Sequence, residues 1–245
     1  MIIGILGLGE VGTAIKEVYI NSPKDFFILE NDLSKGINNF REGMEYLHIC
    51  IPYNEKFNEV VVENINKYKP KFVVIHSTVK VSVTFQLFLA FGNVVHSPIR
   101  GVHPNLYEGV KTFVKYIGAD DDNLGLKVLF HFKDDLGLDA KVVKGSKNTE
   151  LGKLVSTTYY AHCIAFTEYV DKLCEQIGAN FDVVLTDFNT SYNKGYRELG
   201  KPEVIRPTLY PPKGKIGGHC QIPNANILKD QFGEDEILKN ILKLS

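Results

Sequence analysis

Residues 1–14 read MIIGILGLGEVGTA, and this stretch decides the architecture. Met1 to Leu6 is an apolar run with the length of a buried strand. GLGEVG follows without a spacer, placing glycines at Gly7, Gly9 and Gly12, and Thr13-Ala14-Ile15 begins a helical pattern. Each glycine has a separate task in such a turn. Gly7 lets the chain bend sharply off the strand, Gly9 lets a diphosphate approach bare backbone, and Gly12 lets the helix pack close to the strand. The helix start, with Glu10 and Val11 in its first turn, offers free N–H groups and a positive dipole end to phosphate. Phe26 to Leu29 reads as a second strand closed by Glu30, 18 residues beyond Gly12. A carboxylate there accepts hydrogen bonds from ribose hydroxyls and repels a 2′-phosphate, which favours NAD over NADP; Asp32 is a second candidate.

The pattern repeats downstream. Tyr46 to Ile51, Lys71 to His76, Val94 to His96 and Phe113 to Gly118 read as strands; Asn58–Tyr68, Phe85–Ala90 and Leu124–Leu136 read as helices. Strand and helix alternating over short connections predict an α/β, Rossmann-type doubly wound, mostly parallel sheet. Its ligand crevice lies at the carboxyl ends of the strands, where Pro52, Ser77, Thr78 and Ser97 fall. The expected division is a dinucleotide-binding domain over 1–147 and a region over 148–245 made of a long helix and a small, mainly helical or irregular cap.

The long helix is predicted from Thr149, because Leu151, Val155, Tyr159, Phe166, Tyr169, Leu173 and Ile177 recur at steps of three or four. It runs for about 28 residues, or roughly 40 Å. That stripe should cover a second helical region or a second subunit, so a homodimer through this helix is expected. Asn189 to Asn224 is rich in Pro, Gly and Asn and reads as a structured loop; Ile227 to Leu244 resumes a helical pattern.

Composition excludes several classes. Lys plus Arg (28) nearly cancels Asp plus Glu (29), so no basic face for nucleic acid is expected. No apolar run reaches the ~20 residues of a membrane span. Cys50, Cys163, Cys174 and Cys220 have neither metal-site spacing nor a disulfide framework. The opening residues form a strand rather than a leader, so the expected setting is the cytoplasm, with no metal.

Two further places can carry chemistry. Gly217-Gly218-His219-Cys220 leaves a thiol sterically open in a loop able to offer N–H groups to an anion, and Lys213 and Lys215 precede it. Lys153 falls on the first turns of the long helix, with Thr157 one turn later, where it can act as acid or base or steady an oxyanion.

These residues together resemble the UDP-glucose/GDP-mannose dehydrogenases, within the 6-phosphogluconate-dehydrogenase-like group. GLGEVG is similar to their coenzyme turn, His76-Ser77-Thr78-Val79 to their STVPPGT segment, and Ser97-Pro98-Ile99-Arg100 to their SPER segment. TELGKLVSTTYYAHCIAFTEYVDKLCEQIGA resembles the central helix, and GKIGGHC the loop with the nucleophilic cysteine. The resemblance implies oxidation of a primary alcohol with NAD. Cys220 would be the nucleophile, Lys153 the stabiliser of charge on the reacting oxygen, and Ser77 and Thr78 would line the coenzyme side. The chain departs from the pattern at Ile99, where the family has glutamate, at Thr157, where it has asparagine, and at Pro223 and Asn224, where it has lysine and aspartate. It also ends about 25 residues after Cys220, where family members continue into a second Rossmann-like domain. Two other functions fit the same residues: a 3-hydroxyacid type of dehydrogenase using Lys153 alone, and an NAD-binding protein that regulates without catalysing.

Overall fold

The computed structural model describes residues 1–212, 214 and 220–243. The chain forms two compact units, Met1–Lys153 and Leu154–Ser245. The first begins with β1 (Ile2–Leu6), α1 (Glu10–Ile20), β2 (Phe27–Asp32), β3 (Ile37–Asn38) and β4 (Tyr46–Ile49). It continues through α2 (Phe57–Tyr68), β5 (Phe72–Ile75), α3 (Val83–Phe91), β6 (Val94–His96) and α4 (Leu106–Thr112). β7 (Lys115–Ala119), α5 (Asp122–Phe130) and β8 (Ala140–Lys144) complete the sheet. The strands lie in the order β3-β2-β1-β4-β5-β6-β7-β8. β2, β1, β4, β5 and β6 are parallel, β7 runs antiparallel to β6, and β3 antiparallel to β2. The strand order therefore reverses between β1 and β4, which puts the glycine turn at the switch point of the sheet.

Alternation along each strand divides the core. Ile3, Ile5, Tyr46 and Val74 pack on one face with Ala14, Ile15, Val18 and Tyr19 of α1 and Val128 of α5. Leu6, Leu47, Ile49, Val73 and Ile75 pack on the other with Val61 and Ile65 of α2 and Leu87 of α3. Strands covered on both faces are apolar throughout, which is why they read as runs.

The second unit contains most of α6 (Ser146–Ile177), then π-helical Asp182–Asp187, α7 (Phe188–Glu198), α8 (Gln221–Phe232) and α9 (Glu236–Leu242). Ala161 of α6 is packed with Ala225, Leu238 and Ile241 in a small core of its own.

Several elements differ from the sequence expectation, each for a local reason. β2 continues to Asp32 because the short return strand β3 pairs with it, Asn31 opposite Asn38 and Asp32 opposite Ile37. α6 starts at Ser146 rather than Thr149. The buried carboxylate of Glu150 accepts the backbone N–H groups of Ser82 (2.7 Å) and Thr84 (2.8 Å) at the start of α3, tying the first turns of α6 to the sheet unit. The region expected as loop over Asn189–Asn224 holds α7 and the start of α8. α7 is polar in sequence, but Asn193 exchanges two 2.8 Å hydrogen bonds with the backbone of Arg206, whose guanidinium lies over Tyr192 and Tyr196. The predicted apolar stripe of α6 is exposed: Val155, Tyr159, Phe166, Tyr169 and Ile177 face outward, while Leu154, Ala161, Val170 and Cys174 are buried.

The turn after β1 shows what its glycines do. Gly7 has φ +90°, a conformation glycine adopts at no steric cost. A Cβ on Gly12 would lie 1.8 Å from the Gly7 carbonyl oxygen, whereas one on Gly9 would meet nothing within 4 Å. We expect Gly12→Ala to destabilise the protein by about 3 kcal/mol, because backbone must move, and Gly9→Ala to cost less than about 1 kcal/mol. Urea denaturation of the two variants checks this; equal losses would contradict it.

Candidate functional site

The carboxyl end of β1, the start of α1 and the end of β2 converge. Asp32 Oδ2 accepts the Leu8 N–H at 2.8 Å, and Oδ1 accepts the Ser34 N–H and hydroxyl. These bonds, from the Ser34 hydroxyl first and then from the Leu8 amide, hold the Asp32 carboxyl below the usual carboxylate range. The Leu8 carbonyl in turn accepts Lys35 Nζ at 2.6 Å and Thr13 Oγ1 at 3.2 Å. Glu30 lies two residues inside the strand end, with its carboxylate 2.8 Å from Lys16 Nζ of α1. The acid at the carboxyl end of β2 is thus Asp32.

A cleft of about 510 Å³ opens over this turn, lined by Leu8, Gly9, Glu10, Thr13 and Lys35 on one side and the segment 104–108 on the other. Glu10 is bonded to His103, which holds that segment across the first turn of α1. Val11 is half-buried behind it.

The neighbouring strand ends carry the remaining candidates of this unit. Pro52 is exposed, Thr78 half-buried and Ser77 buried. Ser77 Oγ donates to the Ile51 carbonyl at 2.6 Å, joining the end of β5 to the loop after β4. His96 Nε2 donates to the Ser77 carbonyl at 3.2 Å, and burial pulls its pKa down to about 3. Lys115, the first residue of β7, is 3% exposed and donates to the Ser97 carbonyl (2.5 Å) and the Pro98 carbonyl (3.0 Å). Burial drives its pKa well below the usual lysine value, and the charges of Lys153 and Arg100 add to the effect. Lys153 is half-buried, and its charge is felt by both His96 and Lys115, which sets it near the carboxyl edge of β6. The site position Ile99 is packed in the core at 5% exposure.

Thr157 and Cys220 belong to the second unit. Thr157 is half-buried, one turn beyond Lys153 along α6. Cys220 is partly exposed and occupies the N-cap position of α8, its carbonyl accepting the Asn224 N–H at 3.1 Å. Lys213, Lys215, Gly217, Gly218 and His219 lie outside the described residues. Among the described residues no cluster of His, Cys, Asp or Glu could hold a metal ion, and no helix is long and apolar enough to cross a membrane.

Sequence reasoning passed over Lys35 and His103 at the cleft and the buried polar groups His48, His76, His96 and Lys115. A signal for them was present: three successive apolar strand runs, YLHIC, VVIH and VVH, each contain a histidine at or near the end.

No family model and no curated protein matches the sequence. Solved structures do match the fold. UDP-D-ManNAc dehydrogenase from Pyrococcus horikoshii superposes with a TM-score of 0.78 at 16% identity, over 100% of this chain and 68% of that one. A UDP-glucose dehydrogenase from Pyrobaculum islandicum gives 0.73 at 18% identity, over 99% and 67%. 3-Hydroxyisobutyrate dehydrogenase from Mycobacterium tuberculosis gives 0.69 at 12% identity, over 99% and 91%. With its glycine turn at the switch point of an eight-stranded sheet followed by one long helix, the chain has the fold shared by UDP-sugar dehydrogenases and 3-hydroxyisobutyrate dehydrogenase, and it spans about two thirds of the UDP-sugar enzymes' length.

Proposed function

We propose that the chain is an NAD-dependent oxidoreductase acting on a CH–OH group, of the nucleotide-sugar dehydrogenase type. The observation that carries this reading is the cleft over the β1–α1 turn, with bare backbone at Gly9 and an ionised Asp32 beside it. Gly7, Gly9 and Gly12 shape the turn, and the first turn of α1, at Glu10 and Val11, meets the diphosphate. Asp32, in preference to Glu30, takes the adenosine ribose, because Glu30 is paired with Lys16. Pro52, Ser77 and Thr78 lie at adjoining strand ends and line the coenzyme's path. When bound, the nicotinamide accepts hydride from the alcohol carbon.

Lys153 supports the charge that develops on the substrate oxygen. Cys220 adds its sulfur to the aldehyde carbon, the aldehyde oxygen becoming the hydroxyl of a thiohemiacetal. Thr157 is the neighbouring polar group on α6. Because a buried isoleucine stands at 99, that position has no carboxylate to activate water, so the thioester left when the thiohemiacetal is oxidised in turn opens slowly.

A second reading has its own support. The chain spans 91% of the 3-hydroxyisobutyrate dehydrogenase it matches, so a small hydroxyacid handled by Lys153, with Cys220 idle, is the alternative. A screen of sugar nucleotides and small hydroxyacids for NADH formation selects between them. On the first reading Cys220→Ser leaves NAD affinity unchanged and stops the reaction at the aldehyde, so that one NADH forms per alcohol in place of two. Turnover equal to wild type in that variant would give the reaction to Lys153.

The exposed stripe of α6 supports a homodimer formed through this helix. Val155, Tyr159, Phe166, Tyr169 and Ile177 are exposed apolar residues along one face of a single helix, the kind of feature that marks an interaction surface. Sedimentation equilibrium should give twice the chain mass for the wild type and the chain mass for Phe166→Glu/Tyr169→Glu. A monomeric wild type would contradict the proposal.

A further inference from the structure

The most unusual feature of the first unit is a line of polar side chains through its interior. Asp135, partly exposed just after α5, is bonded to His131 Nδ1 (2.7 Å). His131 Nε2 meets the Tyr19 hydroxyl of α1 (2.7 Å), which also meets His48 Nε2 of β4 (2.6 Å). His48 Nδ1 meets His76 Nε2 after β5 (2.8 Å), and His76 Nδ1 meets the Ser97 carbonyl (2.7 Å). Lys115 Nζ stands 3.2 Å from the same His76 Nδ1. Tyr19, His48, His76 and His131 are each 3% exposed or less.

Counting hydrogens on this line gives a definite result. Both ends, the Asp135 carboxylate and the Ser97 carbonyl, can only accept. The five bonds between them need five hydrogens. Three neutral imidazoles and one phenol supply four. The fifth hydrogen is one excess proton, held either by a histidine of the line or by Lys115 Nζ, which as ammonium donates to Ser97, Pro98 and His76 Nδ1 together and leaves all three imidazoles neutral. Burial lowers the pKa of His48, His76 and His131 alike. At His131 the hydrogen bond and charge of Asp135 oppose that effect. With the proton on Lys115 every donor in the line points toward Asp135; with it on His131 every donor from His131 Nε2 onward points toward Lys115. In the second case a neutral amine fits the other end: its two hydrogens go to Ser97 and Pro98, and its lone pair faces His76 Nδ1.

We propose that this line is a proton relay connecting solvent at Asp135 to Lys115 at the carboxyl edge of the sheet. In one passage His76 Nδ1 gives its proton to Lys115 Nζ, His48 Nδ1 to His76 Nε2, Tyr19 Oη to His48 Nε2, and His131 Nε2 to Tyr19 Oη. His131 ends neutral, Lys115 ends as ammonium, and no other group changes charge. His131 and Asp135 lie in a π-helical turn, His131–Asp135, of the kind often found at functional sites. The charged or titratable groups facing the line are Lys24, Glu45 and Tyr46 at the solvent end and Cys50, His96, Arg100 and Lys153 at the inner end. The relay goes beyond the oxidoreductase reading, and its test needs neither coenzyme nor substrate. Within that reading it supplies a route for the proton that accompanies each hydride.

Imidazole nitrogen NMR of histidine-labelled protein at neutral pH tests the count. We expect Nδ1–H tautomers at both His48 and His76 with His131 doubly protonated, or Nε2–H tautomers at both with all three imidazoles neutral; opposite tautomers at His48 and His76 would overturn the proposal. Exchange with water of the hydrogen between His48 Nδ1 and His76 Nε2 tests the path. We expect it to slow at least tenfold in Tyr19→Phe, which removes the central hydroxyl. It should slow similarly in Asp135→Asn, which alters only the partly exposed end and leaves the interior packed. Unchanged exchange in the folded variants would overturn the proposal.

Discussion

The close approach of α1 to β1, with Gly12 against the Gly7 carbonyl, is the contact on which the rest of the first unit depends. It leaves no room for even a methyl group, so the axis of α1 is fixed relative to the strand that starts the sheet. Two consequences follow from that one constraint. The first turn of the helix borders the cleft above Gly9, where an added Cβ would meet nothing within 4 Å. About two turns beyond Gly12 the same helix places Tyr19 against the sheet face, between His48 and His131.

The polar groups of the interior line are costly and are held because each is matched. A buried hydroxyl or imidazole without a partner loses on the order of 1–3 kcal/mol, and a line of such groups is stable only when every member is satisfied. The line from Asp135 to Ser97 meets that condition by taking up one more proton than its neutral members carry. Glu150 illustrates the same rule with a charge. Burial raises its pKa, and the N–H groups of Ser82 and Thr84 oppose the rise. At Lys115 burial acts in the opposite sense, pulling the pKa of the amine well below the usual lysine value.

The sheet was legible in the sequence because strands covered on both faces are apolar at most positions. The glycine turn was legible because three glycines at that spacing, set between a strand and a helix, suit a diphosphate-binding turn. The end of β2 was not, since Asp32 is held in the strand by β3, a two-residue partner too short to leave a pattern. α7 was hidden for a related reason: its stability comes from Asn193 and Arg206, a pairing across thirteen positions that composition does not reveal. The apolar stripe of α6 was read correctly as a stripe, but its neighbour Leu154, Ala161, Val170 and Cys174 is the face that packs inside the chain. Of the site residues, those on the glycine turn were readable from spacing. Lys35 and His103 reach the cleft through the fold alone.

The central claim is that the turn after β1 receives a dinucleotide, with Asp32 choosing the unphosphorylated ribose. Isothermal titration calorimetry with NAD and NADP on the wild type and on Gly9→Val, whose side chain fills the open space above the turn, measures it directly. The account predicts one NAD site per chain, NADP at least tenfold weaker, and no NAD heat in Gly9→Val. No heat with either nucleotide, or unchanged NAD binding in Gly9→Val, would contradict it.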